Sequence, residues 1–375
     1  MSYFLEQILN GLSLGCIYAF IALGYTMVYG IIKLINFAHG EFFMVGSFAG
    51  YFVLMFAGVE TIPLPHPLPM VLSFLIALLA AALASAILAV VTERLAYRPL
   101  QGASRIAALL TALGVSLLLQ NLGIQVFTAE QKGYPEMRRF IEFDDAEQFK
   151  GQTFKGSVYV LHDVRSALGK VSENRQILIN PDTPFETKVL EEYKDASIYK
   201  WHSEPLTGFF VEQPIPVFNK KLFIIISLIL SFGLLWILVH KTQAGRAMRA
   251  VSFNPEAAKL MGIASGRVIM LTFFIGAFLA GIGGVIWGMR YGKVEPFMGF
   301  LPGLKAFIAA VLGGIGSLPG AVLGGILLGL LEALAQGYLP SEYTGYRDAV
   351  AFVALIIILL VKPSGLLGRE EGEKI

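Results

Sequence analysis

Residues 7–32 read QILNGLSLGCIYAFIALGYTMVYGII and contain no Asp, Glu, Lys or Arg. A helix needs about 20 mainly apolar residues to cross about 30 Å of hydrocarbon, so this stretch is long enough to span a membrane. Six more runs without a charged side chain follow at 42–59, 61–92, 106–129, 222–240, 268–289 and 306–331. Only 15% of the 375 residues are charged, against about 25% in soluble domains. The sequence therefore predicts an all-α polytopic membrane protein with about eight or nine transmembrane helices.

The composition changes between the fourth and fifth apolar runs. Residues 128–219 hold 15 acidic and 11 basic residues, which leaves 12 acidic and 18 basic residues in the rest of the chain. Strand-like pieces at Phe154–Leu161 and Ile177–Ile179, and a helix-like piece at Glu186–Ala196, indicate a small mixed α+β insertion. We expect it to be ordered, because it lacks the low hydrophobicity and high net charge of disordered segments.

The orientation in the membrane follows from the Lys and Arg residues of the short loops, because loops rich in these residues favour the cytoplasmic side. The 92–105 loop and the polar stretch 240–267 are both basic, so we predict that both face the cytoplasm. The 128–219 insertion and the N-terminus then lie outside. The Gly- and Ala-rich stretch 303–337 is either a hairpin of two short antiparallel helices or a re-entrant piece plus one span. The hairpin gives nine spans and a cytoplasmic C-terminus.

These inferences divide the chain into four parts. Residues 1–127 hold transmembrane helices one to four, and residues 128–219 form the extracytoplasmic insertion. Residues 220–366 hold helices five to nine together with the cytoplasmic loop 240–267. Residues 367–375 form a cytoplasmic tail.

The polar stretch 240–267 predicts two short helices joined near Ser252 and Phe253. Asn254 is a good N-cap, Pro255 suits the first helical position, and Gly262 can end the second helix in a left-handed conformation. A helix of eight or nine residues is marginal alone, because about 12–15 residues are needed for independent stability. The stretch is therefore either a docking element or an ordinary solvated loop. Its pattern directs Arg246, Arg249 and Lys259 outward and offers Met248, Leu260 and Met261 for packing.

The motifs of several functional classes are missing from the sequence. It contains no Gly-x-x-x-x-Gly-Lys-Ser/Thr loop for nucleotide phosphates and no Gly-x-Ser-x-Gly nucleophile motif. Its five histidines lack zinc-ligand spacing, and the single cysteine, Cys16, can form neither an internal disulfide nor a thiolate cluster. We expect no cofactor, no catalytic or metal site and no nucleic-acid partner. Transport driven by a separate protein is favoured over enzymatic activity, with membrane lipid as the surroundings.

Few polar side chains adjoin the apolar runs, and four of them are candidates for a transport pathway. Asn36, His39 and Glu41 lie between the first two spans, and Glu332 follows the 306–331 run. A charged group at mid-bilayer costs about 2.5–3.5 kcal/mol on insertion scales, so it needs a reason to be there. Helix capping or solvation at the inner boundary would also explain His39 and Glu41, and a place near a membrane face would explain Glu332.

Three stretches closely resemble one family, the branched-chain amino acid ABC-transporter permeases of the LivH type. They read GLSLGCIYAFIALGYTMVYG at 11–30, INFAHGEF at 35–42 and LKAFIAAVLGGIGSLPG at 304–320. Residues 245–251 and 362–368 agree with the same family. The resemblance covers about residues 1–127 and 220–371. It implies a multi-pass inner-membrane subunit that pairs with a second homologous permease, is driven by two cytoplasmic ATPase subunits, and receives Leu, Ile or Val from a periplasmic substrate-binding protein.

The resemblance also implies that the cytoplasmic loop couples the permease to the ATPase. Such importers carry a Glu-Ala-Ala-x-x-x-Gly pattern there, which Glu256, Ala257, Ala258 and Gly262 match, while the later Ile-x-Leu-Pro portion is absent. The predicted coupling residues are Gly245, Arg246, Arg249, Asn254, Glu256, Ala257, Ala258 and Gly262.

Two other functions remain open at this point. Permeases for urea or short-chain amides share the scaffold, and some carry extra outer domains. A non-transporting membrane scaffold that uses 128–219 as its working domain is the alternative from another class. The insertion is longer than the connection expected of the family, so we expect it to contact the binding protein or another permease, or to be a neutral addition.

Overall fold

The computed structural model describes residues 3–34, 36–56, 68–100, 103–134, 138–142, 158–160, 176–178, 197–199, 208–212, 217–340, 342 and 347–368. The helices are α1 (Tyr3–Ile32), α2 (His39–Phe56), α3 (Leu68–Thr92), α4 (Arg105–Phe127), α5 (Val217–Lys241), α6 (Gln243–Phe253), α7 (Pro255–Leu260), α8 (Ser265–Tyr291), α9 (Phe300–Gly313), α10 (Leu318–Tyr338) and α11 (Arg347–Val361). Helix α3 continues as a π-helical turn, Glu93–Tyr97, and a 3₁₀ turn, Arg98–Leu100.

The predicted class is confirmed, because seven of the described helices are long and apolar enough to cross a membrane. The chain divides into two compact units. One comprises Met1–Tyr51, Leu78–Tyr134 and Val217–Ile375, and the other comprises Phe52–Ala77 and Pro135–Pro216.

The second unit contains short strands. Strands β2 (Arg138–Glu142), β6 (Gly208–Glu212) and β3 (Val158–Val160) form an antiparallel sheet in that order, and β4 (Gln176–Leu178) pairs in parallel with β5 (Ser197–Tyr199). Strands β3 and β4 fall on the two strand-like pieces that the sequence predicts. The predicted helix-like piece, 186–196, lies outside the described residues.

Helix α1 forms the centre of the first unit. Its residues from Leu14 to Val28 are buried, Cys16 among them. It packs against α10, where Gly15 meets the backbone of Ile326 and Gly329 meets the backbone of Gly15. Small residues allow two helix backbones to approach this closely.

Helices α9 and α10 form the predicted hairpin. The backbones of Gly313 and Gly320 touch, as do those of Ala309 and Gly324, so the two helices run antiparallel. Helix α9 has 14 residues, which is about 21 Å at 1.5 Å per residue. It is therefore too short to cross about 30 Å of hydrocarbon on its own, and the count of nine spans stays a prediction.

Different loops and chain ends lie together at the two ends of the first unit. At one end, Gly30 lies beside Gly316, and the amides of Leu366 and Leu367 donate to the carbonyls of Leu312 and Gly313 at 2.9 and 2.8 Å. At the other end, β1 (Lys132–Gly133) pairs with β7 (Lys293–Val294), and the Tyr3 hydroxyl donates to the Gly337 carbonyl at 2.9 Å. The sidedness of these two ends stays a prediction.

Tyr134 is buried directly after β1. Its amide donates to the Gly292 carbonyl at 2.8 Å, and Gly288 packs against its ring. Burial raises the pKa of the Tyr134 phenol well above its usual range. This residue anchors the end of α4 to the end of α8.

Candidate functional site

Helix α2 begins inside the helical bundle. Glu41, in its first turn, accepts a hydrogen bond from Ser116 at 3.1 Å. Ser116 stands at the midpoint of α4 (Arg105–Phe127), roughly 16 Å from either end of that helix at 1.5 Å per residue. The segment before α2 therefore returns from the end of α1 into the interior before the helix starts.

Helix α9 begins at the same place. The Gly299 carbonyl occupies the position where a Cβ on Gly40 would stand, and a Cβ on Gly303 would lie 3.0 Å from the Gly40 Cα. Gly299 precedes α9 and provides no side-chain cap. The N-termini of α2 and α9 thus meet in the interior, and each helix N-terminus carries unsatisfied N–H groups and a partial positive charge.

Asn36 holds the start of α2. Its side-chain oxygen accepts hydrogen bonds from the Ala38 amide at 3.1 Å and from the Tyr97 hydroxyl at 2.5 Å. The side chain is buried, and its Nδ2 has no hydrogen-bond partner among the described residues. Tyr97 reaches it from the π-helical turn that follows α3.

Glu41 is a buried carboxylate with one satisfied oxygen. Its Oε1 faces Ser116, while its Oε2 finds no donor in the described part of the chain. That Oε2 lies 3.0 Å from the position that a Cβ on Gly299 would take, so it points at the start of α9. An unpaired buried carboxylate oxygen is costly, and such groups cluster at functional sites.

The structure corrects one explanation for His39 and Glu41. Solvation at the inner membrane boundary is wrong for both, because each side chain is only 1% exposed. The reason is that α2 starts in the interior. His39 instead packs its ring against Tyr25, with 4.8 Å between the ring centroids, and reaches the backbone of Gly24.

Glu332 belongs to a second buried cluster. Its Oε1 accepts a hydrogen bond from Lys305 Nζ at 2.7 Å, and its Oε2 accepts one from the Tyr18 hydroxyl at 2.7 Å. The three residues lie on α10, α9 and α1, and both charged side chains are buried. Through Glu332, Lys305 joins α9 to α10 and α1. Lys305 lies two residues after Gly303.

The sequence indicated Asn36, His39, Glu41 and Glu332 as candidates, but it did not indicate four of the side chains that contact them. These are Tyr18, Tyr97, Ser116 and Lys305. Lys305 offered a signal, because a lysine within an otherwise apolar membrane segment is a functional or structural candidate by default. The hydroxyl groups of Tyr18, Tyr97 and Ser116 offered no such signal in the sequence.

The polar stretch 240–267 contains the two helices that the sequence predicts. Thr242 caps α6 by accepting from the Gly245 amide at 3.1 Å. Asn254 caps α7 by accepting from the amides of Glu256 and Ala257 at 3.0 Å each, and Pro255 is the first helical residue. Gly262 follows α7 in the left-handed region with φ of 80°.

The three apolar side chains expected to pack differ in their exposure within this chain. Met248 packs inward, whereas Leu260 and Met261 are 89% and 82% exposed. Helix α7 is short and buries only Ala258, so Leu260 and Met261 remain exposed. Arg246, Arg249 and Lys259 are exposed as predicted, and Arg249 also donates to the Val239 carbonyl.

Gly245 is buried against the end of α5. The carbonyls of Leu238 and Val239 occupy the space that a side chain on Gly245 would need. This contact lets α6 fold back sharply on α5, so the loop is a defined structure with an exposed apolar tip.

Comparison with known proteins gives a consistent result. Residues 7–359 match the family described as "Branched-chain amino acid transport system / permease component". The chain is 37% identical to the high-affinity branched-chain amino acid permease protein LivH of Salmonella typhimurium, and 36% identical to BraD of Pseudomonas aeruginosa. Each alignment covers 100% of this chain and 98% of the relative.

A more distant similarity covers less of the chain. The ribose import permease protein RbsC of Bacillus subtilis is 30% identical over 160 residues, which is 41% of this chain and 47% of that protein. No solved structure matches this chain.

Proposed function

The chain belongs to the family of branched-chain amino acid transport system permease components, and we propose that it carries branched-chain amino acids across the inner membrane as one subunit of an ABC importer. The observation behind this proposal is the identity of 36–37% to LivH and BraD along essentially the full length of both partners. The seven apolar helices supply a membrane-embedded body of the kind that such a subunit requires.

The proposed assembly contains a second, related permease subunit, two cytoplasmic ATPase subunits and a periplasmic substrate-binding protein. The chain is a transport component and not a catalytic subunit. We assign ATP hydrolysis to the partner subunits, since the sequence lacks a phosphate-binding Gly-Lys-Ser/Thr loop.

The helix pair α6–α7 is the proposed docking element for the ATPase. Phe253, Leu260 and Met261 are strongly exposed around a helix whose cap is already formed by Asn254. Exposed apolar groups on a preformed helix suit docking into a groove of a partner. The Ser265 hydroxyl, at the start of α8, donates to the Pro255 carbonyl at 3.2 Å, so α7 is joined directly to a membrane-spanning helix.

The meeting point of α2 and α9 is the proposed place where the pathway is closed. Discontinuous helices that end at mid-membrane are typical of transporter binding sites. Asn36, His39 and Glu41 supply buried polar groups there. Glu332 has a different role, because Lys305 and Tyr18 already occupy both of its oxygens.

The insertion is proposed to lie on the periplasmic side and to contact the binding protein. The acidic excess of 128–219 and the basic residues of the 92–105 and 240–267 loops support this orientation.

Uptake by the reconstituted complex tests the proposal. Proteoliposomes that hold the chain with its partner permease, ATPase subunits and binding protein should accumulate labelled leucine when ATP is supplied. Labelled urea and acetamide serve as the competing substrates. Uptake of urea or acetamide that is indifferent to leucine would contradict the proposal, and no ATP-dependent uptake of any kind would favour the scaffold.

A further inference from the structure

We infer that Glu41, between the N-termini of α2 and α9, binds the α-ammonium group of the amino acid as it passes through the permease. The inference rests on the proposed function, which names the class of substrate but assigns no residue to it.

Glu41 has an unpaired carboxylate oxygen among the described residues. Glu41 lies level with the midpoint of α4, is 99% buried, and offers Oε2 to no donor among the described residues. Two basic side chains of the bundle bind elsewhere, since Lys305 pairs with Glu332, and Arg290 donates to Ser13 and to the Asn10 carbonyl. A primary ammonium carries three donors and a full positive charge, so it matches this oxygen in both respects.

Two helix N-termini lie around the Glu41 side chain. Glu41 Oε2 points at the first turn of α9, and Glu41 itself lies in the first turn of α2. The partial positive charge at two helix N-termini favours the carboxylate of a bound amino acid beside them. Asn36 Nδ2, another buried group without a partner in the described residues, is a neutral donor for such a carboxylate.

The polar groups of the 36–41 segment match both charged groups of an amino acid. Every α-amino acid carries one ammonium and one carboxylate, whatever its side chain. The 36–41 segment offers an acceptor in Glu41 and a donor in Asn36 at one helix start. A site of this kind recognises the part that Leu, Ile and Val share and leaves side-chain selection to other contacts.

The contact between α2 and α9 controls the access of a ligand to Glu41. The Gly299 carbonyl fills the space beside Gly40, so α2 and α9 are in backbone contact. A ligand reaches Glu41 Oε2 only when these two helix starts move apart. Binding at this point is therefore linked to a movement of α9 relative to α2.

Equilibrium binding of small probes tests the inference. The full complex, without binding protein, is placed in nanodiscs with and without a non-hydrolysable ATP analogue. Labelled leucine is then competed with isoamylamine, which lacks the carboxylate, and with 4-methyl-2-oxopentanoate, which lacks the ammonium. We expect the keto acid to bind at least about tenfold more weakly than leucine, because a hydrogen bond between charged groups is lost.

The variants sharpen the test. Glu41→Gln should weaken leucine and isoamylamine binding by about tenfold or more and leave the keto acid unchanged. Glu295→Gln makes the same chemical change at a partly exposed residue beside Lys293 and should bind leucine as the wild type does. If Glu41→Gln fails to assemble, the wild-type comparison of leucine with the keto acid decides alone.

Three outcomes would overturn the inference. They are equal binding of leucine and the keto acid, wild-type leucine affinity in an assembled Glu41→Gln complex, and leucine uptake without detectable leucine binding in either nucleotide state. All three leave the proposed function intact. Absence of leucine uptake by the wild-type complex would instead overturn the proposed function.

Discussion

Tyr97 and Asn36 are 61 residues apart in the sequence, and the Tyr97 hydroxyl donates to the Asn36 side-chain oxygen at 2.5 Å. That oxygen also accepts from the Ala38 amide, so Tyr97 supports the cap at the start of α2. The Tyr97 ring packs on Phe273 of α8, with 5.3 Å between centroids. The end of α3, the start of α2 and the body of α8 are thereby joined at one residue.

Tyr97→Phe should lower both stability and transport. The change removes one buried hydrogen bond, with a net cost of about 1 kcal/mol, and loosens the start of α2. The thermal unfolding midpoint of the purified complex and its rate of leucine uptake are the measurements. Tyr291→Phe is the matched control, since Tyr291 is 41% exposed. Equal effects of the two substitutions would show that the hydrogen bond is unimportant.

The buried ion pair between Lys305 and Glu332 gives a prediction about pairs of substitutions. Lys305→Met leaves a buried carboxylate without its cation, and Glu332→Gln leaves a buried ammonium without its anion. Each single change should destabilise the protein by about 3–5 kcal/mol. The double variant removes both charges and should be more stable than either single variant, with the Gln carbonyl still available to Tyr18. Thermal unfolding of all four proteins measures the difference, and additive losses would contradict the pairing.

The contact between α2 and α9 predicts a steric effect on transport. Gly40→Ala places a methyl group where the Gly299 carbonyl lies, so α2 and α9 must separate. We expect leucine uptake to fall by about tenfold or more, on the scale of a 1.4 kcal/mol change. Gly114→Ala is the control, because nothing lies within 4 Å of a Cβ at that position in α4. Normal uptake by Gly40→Ala would show that this contact does not control the pathway.

The docking role of α7 predicts a loss of coupling without a loss of folding. Glu256→Arg together with Leu260→Asp changes two exposed side chains, so the permease should insert and remain stable. The ATPase subunits should co-purify poorly, and leucine uptake should fall by about tenfold or more. Glu295→Arg, which changes a residue outside the 240–267 stretch, should leave both quantities unchanged. Normal co-purification and normal uptake in the double variant would exclude this docking site.

The orientation can be measured by cysteine labelling in a Cys16→Ser background. A membrane-impermeant maleimide should label Asp145→Cys in intact spheroplasts, because the insertion is predicted to be periplasmic. It should label Asn254→Cys only after the membrane is permeabilised. Labelling of both positions from the same side would refute the predicted topology.

Local features of the sequence determined the membrane helices and the ends of α7. The charge-free runs predict the membrane helices, because crossing hydrocarbon depends on the length and polarity of one continuous segment. The cap at Asn254 and the left-handed Gly262 were also predictable, since the groups that satisfy a helix end lie within a few residues of it.

Only the tertiary structure decided the surroundings of the polar groups. Glu41 meets Ser116 across 75 residues, and Glu332 meets Tyr18 across 314. The sequence pattern left His39 and Glu41 at a membrane boundary, whereas the return of the chain after α1 buries them. The physical reason is that helix formation and capping depend on near neighbours along the chain, while the burial of a charge depends on which distant helices pack around it.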